Sequence, residues 1–185
     1  MKKQVALAVA ILLCLTSGIA QDKYFTKSGK IIFSSKAPLE NIEAHNKSVT
    51  CVLDTKTGNL QFAVLMKGFE FEKALMQEHF NENYVESHKF PKAEFRGQVI
   101  NSGDITYSKD GSYQAKVKGS LTIHGETKEV ETTGTILVKG GKMAANADFI
   151  ISLDDYKIEI PKIVKDNISK TVRITVDCSL DQLKG

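Results

Sequence analysis

Along most of this chain apolar residues alternate with polar ones at a period of two. GKIIFSS, starting at Gly29, is the first such run. KSVTCVLD, NLQFAVLMK, KAEFRGQVI, SYQAKVKGSLTI, KEVETTGTILVK, MAANADFIISL, YKIEI and TVRITVDCSL repeat the pattern. A period of two puts successive side chains on opposite faces of an extended chain, so each run predicts a strand. TKTG, SKDG, HGET and KGGK separate several of them with residues suited to tight turns, and Gly58 stands where a hairpin needs positive φ. Strands at such short intervals predict an antiparallel sandwich or barrel and argue against a parallel α/β sheet.

One segment breaks the alternation. EKALMQEHFNENYVES is rich in helix formers and predicts a single helix between the third and fourth strand runs. Leu75, Met76, Phe80 and Tyr84 supply its apolar stripe, and the helix is expected to lie across one mouth of a barrel or against its wall. Pro91 then forces Phe90 into an extended conformation and starts the next strand.

Parity along the strands identifies the inward faces. Tyr113, Ala115, Val117, Gly119, Leu121 and Ile123 share one. Ala93, Phe95, Gly97 and Val99 share another, as do Val130, Thr132, Gly134, Ile136 and Val138, and Phe149, Ile151 and Leu153. Several of these residues are Gly, Ala or Thr, smaller than a solid core calls for. Two arrangements fit: strands that bend sharply around a filled interior, or an interior that holds something else.

The first twenty residues follow a different logic. Lys2 and Lys3 precede the apolar run VALAVAILLCL, and TSGIA follows with small residues at Gly18 and Ala20. That layout predicts a signal peptide over residues 1–20, with cleavage after Ala20, and a single domain over residues 22–185. The apolar run is too short to span a bilayer, and no later run approaches the required length. Leu13 before Cys14 departs from the small residue that lipid attachment at that Cys would require. The expected location is periplasmic or secreted.

The whole chain has 25 Lys and Arg against 22 Asp and Glu. Removing Lys2 and Lys3 leaves 23 against 22, close to neutral. No basic stripe interleaved with aromatics appears, so a nucleic-acid partner is not expected. Cys51 and Cys178 remain after cleavage, both on the apolar parity of their runs. An oxidising compartment would allow a disulfide, whereas the burial pattern alone predicts two thiols acting as small hydrophobes.

Candidate chemistry concentrates in HFNENYVESHKFPKAEFRG. His79 and Glu82 are three apart on the helix, Glu86 lies a turn further, and His88 is just past the end. The pair of histidines four apart that marks helical zinc sites is missing, and Glu78, Glu82 and Glu86 at four-residue spacing predict a solvated helix face. No Gly-x-Ser-x-Gly elbow, no His beside either remaining Cys and no Gly-rich phosphate loop is present. His124, at a strand end in LTIHGETK, reads as a hydrogen-bonding turn residue. No catalytic residue, metal or cofactor is assigned, and the chain is read as a non-enzyme.

Three stretches carry a resemblance: HFNENYVESHKFPKAEF, then GSLTIHGETK from Gly119 to Lys128, then DFIISLDDYKIEIP from Asp148 to Pro161. Together they resemble the YceI-like family of exported bacterial proteins, over roughly Gly29 to Leu180. The resemblance implies an all-β fold: an extended antiparallel eight-stranded β-barrel, lipocalin-like, with a helix inserted mid-chain. It also implies a polyisoprenoid or similar long-chain amphiphile held inside the barrel. GKIIFSSKAPLENIEAHNKS departs from the family's usual N-terminal third, which carries a His-containing strand near its start. Inward parity and the helix stripe nominate Phe69, Phe71, Leu75, His79, Phe80, Tyr84, Phe95, Leu121, Ile123, Phe149 and Ile151 as ligand-binding wall and lid. A barrel filled by its own side chains, in which Phe62 and Met66 meet in the middle, is the alternative, and it would act as an envelope interaction module. The expected partner is a lipid; a dimer is compatible with the sequence.

Overall fold

The computed structural model describes residues 22–183. The export segment read at residues 1–20, with Cys14, lies outside the described residues. Nine strands follow in order: β1 (Lys23–Lys36), β2 (Asn41–Asp54), β3 (Asn59–Leu65), β4 (Glu70–Phe71), β5 (Lys92–Val99), β6 (Gly111–Ile123), β7 (Glu126–Lys139), β8 (Lys142–Ser152) and β9 (Thr171–Gln182). Every pairing is antiparallel. The order β1-β9-β8-β7-β6-β5-β3-β2 closes when β2 pairs back onto β1, giving an eight-stranded barrel. Closure leaves little unpaired strand edge among these eight, apart from the upper part of β7, which limits edge-to-edge aggregation.

β4 is a short resumption of β3. A single 3₁₀ turn at Met66–Gly68 interrupts the strand, and β4 then pairs with β2 at Ala44 and His45. The fully buried Asn46 holds the break together. Its Nδ2 donates to the Leu65 carbonyl at 2.9 Å, and its Oδ1 accepts from the Ser48 N–H at 2.9 Å. An amide buried this deeply needs both partners.

Two expectations need correction. YKIEI is not a strand. Asp154–Tyr156 forms a 3₁₀ turn, the Tyr156 and Ile158 amides both return to the Leu153 carbonyl at 3.1 Å, and Lys157 has φ +54°. The alternation there is real, since Tyr156 and Ile158 are buried, but it fills a gap in the wall instead of pairing. The helix is also shorter than read. α1 (Ala74–His79) passes into one π turn at Phe80–Tyr84, and Glu86 at φ +43° ends the run. Glu86 is therefore not on a solvated helix face with Glu78 and Glu82.

Strand direction sorts the connections into two ends. The β2–β3 turn, the β5–β6 connection and the β7–β8 turn share one, here the closed end. The β1–β2 turn, the α1 segment, the β6–β7 turn and the long β8–β9 connection share the other, the open end. At the closed end Leu53, Val99, Ala115, Ile136, Val138, Met143 and Leu180 are buried against one another, and Ile105 from the β5–β6 connection joins them.

The small inward residues have specific reasons. Gly97 and Gly119 are cross-strand partners, and the Phe95 ring lies over both: a Cβ on either would meet its Cζ at 2.6 or 2.8 Å. A ring laid over facing glycines restores the packing that the glycines lack. Gly29 has the same role for sulfur, since a Cβ there would meet the Cys178 Sγ at 2.5 Å. Cys51 and Cys178 are unbonded, fully buried neighbours over Gly29, where β1 bulges between β2 and β9. The Cys178 thiol's hydrogen bond, and then burial, push the Cys51 thiol up, so it stays protonated.

Candidate functional site: the barrel cavity

The open half of the barrel encloses a cavity of about 410 Å³. Its floor is made by Leu53, Leu60, Val99, Ala115 and Ile136, the top layer of the closed end. Its wall takes inward residues from every long strand, and its roof comes from the α1 segment and the β8–β9 connection. Val117, Leu121, Ile123, Val130, Ala147, Phe149 and Ile174 point inward yet stay only partly buried, because they face this space and not each other. Phe62 and Met66 line the cavity.

Ten of the eleven nominated residues line the cavity: Phe69, Phe71, His79, Phe80, Tyr84, Phe95, Leu121, Ile123, Phe149 and Ile151. Leu75 does not, and it is 61% exposed. Met76, Phe80 and Tyr84 follow one helical face at four-residue steps; Leu75, one residue before Met76, is turned roughly 100° away from it. Burial raises the Tyr84 phenol above its ordinary value. His79 sits exposed at the rim.

Sequence reading missed Phe33. Its ring stacks on Phe80 at 5.5 Å and meets Phe69 and Phe71 edge-on at 5.7 and 5.6 Å. Phe80 also touches Phe69 and Phe71, so four rings anchor the π turn to β1 and β4. Each such pair contributes about 0.5–1.5 kcal/mol beyond area burial. Phe33 lies on the inward parity of GKIIFSS, so the signal was present. Val164, Asn167 and Ile168 were also missed; they belong to an irregular connection with no period to read.

The wall has one seam. β7 and β8 pair only from Gly134–Ala147 to Lys139–Lys142, and above that point they diverge. The turn at Asp154–Tyr156 packs against both strands and fills the wedge. Burial, and then the nearby Asp155 charge, push the Tyr156 phenol up to about 12.

A polar latch holds this filling in place. His124 has φ +52° at the tip of the β6–β7 hairpin. Its Nδ1 meets the Tyr156 carbonyl at 3.1 Å and its Nε2 meets Glu86 Oε2 at 3.0 Å. Both partners are acceptors, so a ring nitrogen donates to the one it faces wherever it carries a hydrogen. Lys89 also pairs with Glu86, and the Lys89 and His124 hydrogen bonds, in that order, hold the Glu86 carboxyl below its usual range. Phe90 packs edge-on to His124 at 4.7 Å, and a Cβ on Gly125 (φ +77°) would meet the Phe90 ring at 2.6 Å. The residues of the first two recognised stretches thus form one fastening among helix exit, hairpin and wedge.

Across the mouth, Glu40 joins three rim segments. Its carboxylate accepts from Lys73 Nζ at 2.9 Å, just before α1, and from Asn167 Nδ2 at 3.4 Å. The Lys73 hydrogen bond is the main reason its carboxyl lies below the ordinary glutamate range. Among the described residues no Lys or Arg lines the cavity, and no three His, Cys, Asp or Glu side chains converge to hold a metal ion.

A closed antiparallel barrel with one inserted helix and an apolar hollow defines a lipocalin-like architecture. The family model for the YceI-like domain matches residues 25–180, and the chain belongs to that family. Among solved structures, a polyisoprenoid-binding domain from Saccharophagus degradans superposes with a TM-score of 0.75 at 12% identity, covering 88% of this chain and 99% of that one. Burkholderia cenocepacia BcnA gives 0.67 at 17% identity, over 83% and 96%. A Campylobacter jejuni YceI protein gives 0.55 at 18%, over 76% and 84%. No curated protein matches the chain.

Proposed function

We propose that this protein is an exported binding protein that carries a polyisoprenoid, or a similar long-chain amphiphile, inside its barrel. The observation that carries the reading is the hollow: about 410 Å³ lined mostly by aliphatic and aromatic side chains, with Glu40, Glu94 and a few other polar groups among them, within the range of small-molecule sites. Each methylene moved from water into such a space contributes about 0.8 kcal/mol, so a long chain binds tightly without specific polar contacts. A cavity without Lys or Arg favours an uncharged head group inside, or a charged one left outside the mouth. The family and the polyisoprenoid-binding neighbour support the same ligand class. The N-terminal pattern of residues 1–20 supports export.

Native mass spectrometry of the detergent-free protein tests the reading. A one-to-one adduct that releases a single long-chain lipid class on extraction is the expected result. A clean apo mass that persists after incubation with polyprenyl lipids would overturn it and direct attention to protein partners.

A further inference from the structure

The cavity lining is apolar except in a few places, and one of them is a fastened polar corner at the mouth. Ser35 lies near the end of β1, Glu40 just before β2 and Asn167 in the β8–β9 connection; all three line the cavity. Hydrogen bonds hold them side by side. The Ser169 N–H donates to Ser35 Oγ at 2.9 Å, the Leu39 N–H donates to the Asp166 carbonyl at 3.0 Å, and Asn167 Nδ2 donates to Glu40 Oε2 at 3.4 Å. The stretch from Asp166 to Ser169 therefore runs along the stretch from Ser35 to Glu40, and the three polar side chains share one edge of the hollow.

Each of them has hydrogen-bonding capacity left over. Ser35 is 1% exposed, yet its hydroxyl only accepts: among the described residues nothing takes its proton. A buried hydroxyl proton on a cavity wall calls for an acceptor inside the cavity. Glu40 receives one hydrogen on each carboxylate oxygen, from Lys73 and from Asn167, and each oxygen has room for a second. Asn167 gives an amide hydrogen to Glu40 and has no donor on its Oδ1 among the described residues.

A head group suited to this corner accepts from Ser35 and donates to Glu40 or Asn167. A hydroxyl does both. A quinone carbonyl or an ether only accepts, and an ammonium only donates. A phosphate head would accept from Ser35 but set a second negative charge beside Glu40, with no Lys or Arg in the lining to offset it. Lys73 is not among the lining residues; it stands in the outer cleft next to the cavity, in company with Glu43, Glu70 and Glu72. Farther along the rim both signs are exposed, Lys36, Lys162 and Lys165 with Glu159 and Asp166, and they select neither.

We propose that Ser35, Glu40 and Asn167 form a head-group subsite that selects an uncharged, hydroxyl-bearing amphiphile, a long-chain alcohol, over the phosphate ester of the same chain. The inference rests on the carrier reading and narrows it. The tail occupies the apolar hollow, Ser35 donates to the head oxygen, and the head hydrogen goes to Glu40.

Three probes of one chain length test it: a polyprenol, its methyl ether and its monophosphate, each titrated into the detergent-free protein and read by native mass spectrometry. The alcohol should bind roughly tenfold or more tightly than either of the others, because the bond to Glu40 involves a charged acceptor. Glu40→Gln keeps the shape and removes the charge, so it should narrow both gaps, the phosphate's most. Ser35→Ala should weaken alcohol and ether alike, since both heads accept, and leave their ratio unchanged. The wild-type series decides the claim even where Ser35→Ala, which also loses the Ser169 contact, folds poorly. Equal binding of all three probes, or tighter binding of the phosphate, overturns the subsite and leaves the carrier standing. A preference for the alcohol that survives Glu40→Gln undiminished places the head elsewhere and overturns the assignment. Binding of none of the three sinks the carrier, and the subsite with it.

Discussion

The same eight strands build both ends of the barrel, and they treat their inward side chains in opposite ways. At the closed end, inward Ile136, Val138, Met143 and Leu180 are buried in the core and exclude solvent. At the open end, Leu121, Ile123, Val130 and Phe149 occupy the same parity of β6, β7 and β8, stay only partly buried and line the cavity. Residue size does not separate the two sets. The difference lies in pairing and in what covers each end. β7 and β8 stay zipped below Gly134–Ala147 and diverge above it. The wedge at Asp154–Tyr156 seals that seam from the side, and the α1 segment roofs the mouth, so neither fills the middle. A hollow therefore depends on a wall that is fastened without being filled.

The sharpest way to break this comparison is to truncate matching leucines. Leu180→Ala at the closed end should lower unfolding free energy by about 3 kcal/mol, as for a fully packed core leucine. Leu121→Ala at the open end should lower that of the empty protein by only about 1 kcal/mol, because its side chain already borders a void. Chemical denaturation of both variants checks this, and equal losses would mean that the open half is packed like the closed one.

Next in size is the latch. His124→Ala removes the bridge between helix exit and wedge, leaves the Tyr156 carbonyl without that partner, and should cost about 2 kcal/mol. Loss of lipid loading at temperatures where the strands remain folded would show that the latch holds the seam. Phe80→Ala should give a comparable loss, since it removes the ring that three other phenylalanines contact.

A pH titration sharpens the same point. The folded Glu86 carboxyl lies below its unfolded value, so its contribution is present above the ordinary glutamate range and fades as pH falls through the lowered value. Glu40 has the same sign for the same kind of reason. Acid should therefore weaken these open-end fastenings, and Glu86→Gln should flatten the acid limb of the stability curve. An unchanged limb would remove Glu86 from the latch. The smallest expected effect is Lys157→Ala, which breaks an exposed pair with Glu126 beside the same hairpin and should leave the melt unchanged.

Much of this was legible in the chain. Alternation predicts the eight long strands, Gly58 marks a turn that takes positive φ, and inward parity with the helix stripe selects ten residues of the cavity lining. These follow from local rules, because which face a side chain takes depends only on its neighbours along the strand. YKIEI shows where such rules stop. Its burial alternates as a strand's does, but whether an extended run pairs or wedges depends on an edge that only the assembled sheet supplies. Leu75 shows the same limit on a helix, where a shift of one residue decides between cavity and solvent. The glycines at 97 and 119 could be read as bends or as space, and only the placement of the Phe95 ring decided that they make room for a side chain. The sequence thus determined the strands, the turns and the inward faces. The tertiary structure decided that the inward faces close at one end and stand apart at the other, because that depends on where two distant strands separate and on what lies between them.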